Sequence, residues 1–263
     1  MKFKNIIVIF GVCLLSLTLT ADKKSSKKKF KLDPQVEKLY ENLSVDSMPY
    51  RLLRPLNFDD NKKYPVIISL HGAGERGKDN KKQLKAWPAQ LTEDIIRKDF
   101  PCYVVAPQSN SHWEIDRFEK VKNVIQELPA VDKERIYIMG HSMGGHGTFL
   151  WIQHDPKYFA AAAPCAGSGR KGREFVKPEL IKDLPLWVLH GDKDNIVPYE
   201  MSKKLLITMK KLNGNMKLTT WLGAKHGVAQ KIIPGDKSAI TEMASDRCDP
   251  EPDFLTWMFK QSR

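Results

Sequence analysis

Gly140-His141-Ser142-Met143-Gly144 stands between two stretches of different character. Before it, Arg135 to Met139 is short and mostly apolar; after it, Gly145 to His154 carries a helical pattern. A serine on a tight strand-to-helix turn needs glycines at its flanks, because a Cβ there would clash with the neighbouring chain. Such a turn sets the hydroxyl at a helix N-terminus, whose free N–H groups and positive dipole end favour a developing oxyanion. Ser142 is therefore the candidate nucleophile.

Working outward, apolar β-branched runs alternate with helical patterns from about residue 48 to the C-terminus, without an internal repeat. The expected strands are Met48 to Leu53, Val66 to Leu70, Tyr103 to Ala106, Arg135 to Met139, Ala160 to Pro164, Leu186 to His190 and Lys217 to Leu222. Helical patterns fall near Leu91 to Lys98, Arg117 to Leu128, Gly145 to His154, Met201 to Leu212 and Asp253 to Lys260. Several strands are apolar on both faces, as strands covered on both sides must be, so the fold class is α/β with a mostly parallel sheet flanked by helices.

A serine hydroxyl needs a base, and on such an elbow the partners follow as acid and then histidine. Of the seven histidines only His226 lies beyond the acid candidates, in the loop Gly223-Ala224-Lys225-His226-Gly227 that follows a strand. Two acids compete in His190-Gly191-Asp192-Lys193-Asp194-Asn195. Asp192 sits close to the strand end, where aspartate caps turns beside glycine. Asp194 lies further out and is the favoured partner of His226.

Gly72-Ala73-Gly74-Glu75-Arg76-Gly77 fits the dinucleotide fingerprint G-x-G-x-x-G but fails it in context. Lys78 to Lys82 opens no apolar helix face, and the next strand ends in Ala106-Pro107-Gln108 without an acid for a ribose. His71-Gly72-Ala73-Gly74 instead resembles an oxyanion loop, in which the Ala73 N–H would join that of Met143. No cofactor is called for. Nor is a metal: H-E-x-x-H and C-x-x-C are absent, and His141 with His146 lacks a third ligand. Trp87, Trp113 and Trp151 are expected mainly as packing residues. Trp113, with Gln108, is the candidate for the substrate pocket.

The 263 residues are 41% hydrophobic, enough for one well-buried domain, assigned to residues 44–263. Lys2 and Lys4 precede an apolar run from Ile6 to Leu19 that ends in Thr20 and Ala21, the pattern of a signal peptide over residues 1–21 and of a secreted or periplasmic protein. Much of the net +12 charge comes from Asp22 to Lys31, with six lysines against one aspartate, so residues 22–43 are expected as a disordered basic tether. The tether offers adhesion to an anionic surface; nucleic-acid binding is not expected, because no basic stripe interleaved with aromatics recurs. Cys102, Cys165 and Cys248 remain after the leader, an odd number that leaves at least one unpaired.

These motifs together resemble the α/β-hydrolases, in particular the branch of phospholipases/carboxylesterases, polyhydroxybutyrate depolymerases, feruloyl and acetylxylan esterases and prolyl-oligopeptidase-like peptidases. The likeness runs from Tyr64-Pro65 through Gly77, then Ala106-Pro107-Gln108, Arg135-Ile136-Tyr137 through Gly145, and His190 to Asp194 with Val197-Pro198. It implies the second aspartate, Asp194, as the acid, and cleavage of a small-molecule or polysaccharide-linked carboxylic ester through an acyl-enzyme on Ser142. A prolyl-oligopeptidase-type serine peptidase and a non-catalytic polysaccharide-binding module are the alternatives; an intact triad argues against the second. The resemblance is weakest after His226, where about thirty residues precede Trp257. Pro234-Gly235 and Pro250 mark turns around a short helical pattern there, expected as a pocket rim or partial lid.

Overall fold

Seven apolar runs become the middle of one sheet, and the sheet extends beyond them at both edges. The computed structural model describes residues 32–170, 173–236 and 238–263. Its strands are β1 (Glu41–Val45), β2 (Met48–Leu53), β3 (Tyr64–Leu70), β4 (Tyr103–Pro107), β5 (Val131–His141), β6 (Ala161–Cys165), β7 (Gly169–Arg170), β8 (Arg173–Glu174), β9 (Leu186–Gly191), β10 (Met216–Trp221) and β11 (Ala239–Met243). The helices are α1 (Pro34–Leu39), α2 (Trp87–Gln90), α3 (Asp94–Asp99), α4 (Ile115–Glu127), α5 (Met143–His154), α6 (Pro178–Ile181), α7 (Tyr199–Lys211) and α8 (Phe254–Lys260). β7 and β8 pair antiparallel as a separate two-stranded sheet.

The main sheet has the order β1-β2-β4-β3-β5-β6-β9-β10-β11. From β4 to β10 all pairings are parallel, while β1, β2 and β11 join antiparallel. This is the α/β-hydrolase architecture. Successive residues of β3 divide between two cores, as the two-residue period of a strand requires. Val66, Ile68 and Leu70 pack with Phe118 of α4, Phe149 of α5 and Leu206 of α7. Ile67 packs on the opposite face with Trp87 of α2, Ile96 of α3 and Trp257 of α8.

Two expectations are corrected at the edges. The stretch 22–43 is not a tether throughout: its first ten residues lie outside the described part, but from residue 33 the chain is folded. The Asp33 carboxylate caps α1 by accepting from the Gln35 N–H at 2.8 Å, with Pro34 in the first turn. Val36 and Tyr40 are buried, and the Tyr40 hydroxyl donates to the Pro88 carbonyl at 2.9 Å. Buried Arg51 ties the segment down, donating to the carbonyls of Asn80 (2.6 Å) and Tyr40 (3.1 Å). The neighbouring lysines hide this six-residue helix in the sequence. The stretch after His226, in turn, shows no α-helix between Pro234 and Pro250 among the described residues, where a short helical pattern is expected. A single 3-10 turn, Ala229–Lys231, leads to edge strand β11, paired with β10 in the register Lys217 to Met243.

All three described cysteines are free and buried. Burial pushes the Cys102 thiol up to about 12 and raises that of Cys165 well above its ordinary range. Among the described residues no helix is long and apolar enough to cross a membrane.

If the segment before β1 is core rather than tether, Tyr40→Ala should cost about 3–5 kcal/mol, the range for deleting a buried aromatic side chain. Urea unfolding of the variant checks this, and an unchanged midpoint would return residues 33–40 to the status of a spacer.

Candidate active site

Three strands of the sheet, β5, β9 and β10, each lead into one member of the site. β5 runs straight into Ser142, which caps α5 with φ 56° and ψ −116°. A non-glycine residue there costs on the order of 1–3 kcal/mol and persists only where the surroundings over-determine it. The surroundings do so through close backbone approaches. A Cβ on Gly140 would lie 2.3 Å from the Gly144 carbonyl oxygen, one on Gly144 2.0 Å from that of Leu70, and one on Gly145 2.4 Å from that of Cys165. The helix is thus pressed onto β3 and β6, and the Ser142 N–H donates to the Cys165 carbonyl at 2.9 Å.

His226 arrives from the loop after β10. Its Nε2 lies 2.8 Å from Ser142 Oγ and its Nδ1 2.8 Å from Asp194 Oδ2. The loop is held on both sides: the Ala224 carbonyl accepts from the Lys193 N–H at 2.9 Å, and the His226 carbonyl lies 2.9 Å from His141 Nε2. Since a carbonyl only accepts, that His141 nitrogen carries a proton. Burial lowers the pKa of His141.

Asp194 leaves β9 three residues past its end, and its side chain is fully buried. Oδ1 accepts from the amides of Ile196 (2.8 Å) and Val197 (3.0 Å), Oδ2 from His226 and, at 3.1 Å, from His190. Burial pushes this carboxyl up, but the hydrogen bonds from His190, His226, Val197 and Ile196 outweigh it and hold the group well below the usual carboxylate range. Asp192 is elsewhere: it accepts from the Gly223 N–H at 2.6 Å and pins the turn, where Gly223 adopts φ 72°.

The cavity at Ser142 has a volume of about 500 Å³. Ala73 lines it, in a 3-10 turn (Ala73–Glu75) following Gly72; Met143, the first residue of α5, is buried and is not among the lining residues. Trp113 and Gln108 do not line it. Trp113 is buried against Gly147, where a Cβ would come within 2.4 Å of its own, and donates to the His71 carbonyl at 3.0 Å. Gln108 braces the loop after Ala73 from behind, donating to the Glu75 carbonyl (3.0 Å) and Asp79 (2.9 Å) and accepting from the Asn80 N–H (2.6 Å). The aromatic wall is Trp87, joined by Pro88, Ile196 and Ala229, with a Glu75–Lys85 ion pair of 3.4 Å. Trp87, expected mainly as a packing residue, is the tryptophan that lines the cavity; α2 is one turn long and has no readable period to place it. His146, weighed above as a ligand, stacks on Phe175 with ring centroids 4.1 Å apart. Among the described residues no cluster of histidine, cysteine, aspartate and glutamate could hold a metal.

Compared with known proteins, residues 104–258 match the model of the dienelactone hydrolase family. A thermostable esterase of known structure is 31% identical, with a TM-score of 0.64 over 86% of this chain and 63% of its own. An uncharacterized secreted protein of Arthroderma benhamiae is 26% identical over 210 residues, 63% of this chain and 22% of that protein. The bifunctional acetylxylan esterase/xylanase XynS20E of Neocallimastix patriciarum is 25% identical over 161 residues, 58% of this chain and 22% of that one. The chain thus spans less than a quarter of the length of these two curated relatives.

The depressed Asp194 carboxyl has a counterpart in Asp79: burial raises it, but hydrogen bonds from Gln108, Lys82 and the amides of Lys81 and Lys82 hold it well below its usual range. Unfolding releases both groups to titrate near pH 4. Their contribution to stability is therefore present above that range and lost as pH falls through it toward the lower folded-state values. Unfolding free energies from urea titrations should decline below about pH 5, and Asp194→Asn should flatten the decline.

Proposed function

The chain belongs to the dienelactone hydrolase family of the α/β-hydrolase superfamily, and from that premise we propose that it is an exported serine esterase acting through an acyl-enzyme on Ser142. The observation that carries this reading is the unbroken line from Ser142 Oγ through His226 to the buried Asp194 carboxylate, 2.8 Å at each step, opening into the cavity. His226 Nε2 takes the hydroxyl proton as the oxygen attacks the ester carbonyl. Asp194, kept ionised by its donors, orients the ring and stabilises the imidazolium. The N–H groups of Ala73 and Met143 hold the oxyanion; His226 returns its proton to the leaving alcohol, and water repeats the sequence to release the acid.

The wall of Trp87, Pro88, Ile196 and Ala229 suits an apolar acyl group, while the Glu75–Lys85 pair gives one side a polar character. Together with the likeness to an acetylxylan esterase/xylanase, this supports a small or polysaccharide-linked ester as substrate. The leader read in residues 1–21 and the likeness to a secreted protein support export, with removal of the leader after Ala21. The lysine run of residues 22–31 is proposed to bring the enzyme to anionic surfaces.

Ser142→Ala should abolish both ester turnover and labelling by a serine-directed fluorophosphonate while leaving thermal melting unchanged. Assays on short-chain esters, acetyl and feruloyl sugars and small peptides give the substrate class, and turnover surviving in Ser142→Ala would overturn the mechanism. Asp194→Asn should lower kcat by at least about two orders of magnitude; the same change in the protease that defines the triad costs about four. Asp192→Asn should cost stability rather than rate, because its partner is the Gly223 amide; steady-state kinetics and melting of both variants decide between them.

A further inference from the structure

Asp194 has a second imidazole on the same oxygen as His226. His190, fully buried on β9, places Nε2 3.1 Å from Asp194 Oδ2 and 3.1 Å from the Val197 carbonyl. Both neighbours only accept, so Nε2 carries the proton. On the other side of the ring Nδ1 lies 2.7 Å from Ser202 Oγ of α7, and Ser202 Oγ lies 2.6 Å from Ser168 Oγ. With Nε2 protonated, Nδ1 accepts from Ser202, and Ser202 accepts from Ser168. Every donor in the chain Ser168, Ser202, His190 then points toward the carboxylate. All three residues are almost wholly buried.

We propose that His190, oriented by Ser202 and Ser168, is a positioning residue that holds Asp194 Oδ2 in line with His226 and moderates its pull on that ring. The proposal rests on the triad reading above. Two features carry it. Asp194 and His226 both sit on loops, whereas His190 sits in a parallel strand bonded to β6 and β10 on either side, so the carboxylate takes its reference from the sheet. A carboxylate also offers about four acceptor sites, and here two amides and two imidazoles fill them. Charge that Oδ2 shares with His190 is withdrawn from the bond to His226. The other groups that titrate around this assembly are His141, whose ring centroid lies 4.8 Å from that of His226, the buried Cys165 thiol, and Tyr199, whose ring meets His190 edge-on at 5.7 Å.

The test uses the full chain and a short-chain ester, with wild type and Ser142→Ala measured first; no Ser142-dependent turnover in wild type would refute the esterase reading and not the role of His190. With turnover established, His190→Leu should lower kcat about tenfold or more at a KM within about twofold. Its acidic limb of kcat/KM should move to higher pH, because Oδ2 then gives its full charge to His226. His190→Gln, whose amide N–H can replace Nε2–H, should recover most of both, and Ser202→Ala should shift both in the same direction by less. A purely structural role would lower melting in the Leu and Gln variants alike and leave the acidic limb in place. Wild-type kcat and pH profile in His190→Leu, or a Gln variant no better than Leu, would overturn the proposal. Should His190→Leu fail to fold, an unchanged pH profile in Ser202→Ala would overturn it alone.

Discussion

The contact between the Gly144 Cα and the Leu70 carbonyl, too close for a Cβ by more than an ångström, governs most of what surrounds it. It lets α5 lie against the ends of β3 and β6, and that position forces the backbone at Ser142 into a conformation serine does not favour. The strain at one residue is small beside the apolar area that α5 buries through Phe149, Trp151 and Ile152, so packing decides the outcome.

The same logic of fixed backbone governs the partners of Ser142. His226 and Asp194 reach it from the loops after neighbouring strands, and a Cβ on Gly191 would come within 2.4 Å of the Ala224 carbonyl oxygen. Those two loops therefore pack as one unit, with Asp192 closing the turn of one from the base of the other. The hydrogen bonds that hold Asp194 low are a by-product of this arrangement as much as a device: a carboxylate sealed from water must be met by donors, and the available donors are two amides and two rings.

What could be read from the residues follows from burial. Strands covered on both faces are continuous apolar runs, and their positions came out within two or three residues at most boundaries; β5, which begins four residues earlier, is the exception. β1 and β11 were illegible because they are edges, half exposed and of mixed polarity, with no run to find. The 3.6-residue period is lost in helices of four to six residues, which is why α1 reads as part of a charged tail and Trp87 ranks below Trp113 as a pocket residue. The glycine pattern around Ser142 and the position of His226 were readable, since both depend on turn chemistry. Position and the family resemblance only weight the choice between Asp192 and Asp194, because it turns on which partners each carboxylate meets. Trp113 and Gln108 differ from expectation for a related reason: Gln108 belongs to a motif beside the site and Trp113 is an aromatic near it in sequence, but each donates to backbone it supports rather than facing the cavity.

The three thiols of the described residues turn the molecule into its own reporter. Each is sealed, and at neutral pH Cys102 and Cys165 are almost entirely protonated, so a thiol reagent can reach them only when the surrounding chain opens. Cys165 stands in β6 behind the serine turn, Cys102 at the entry to β4, and Cys248 beneath the far edge near β10. Their rates of modification, resolved by peptide mass, would separate fraying of an edge from opening of the centre without introducing a single label.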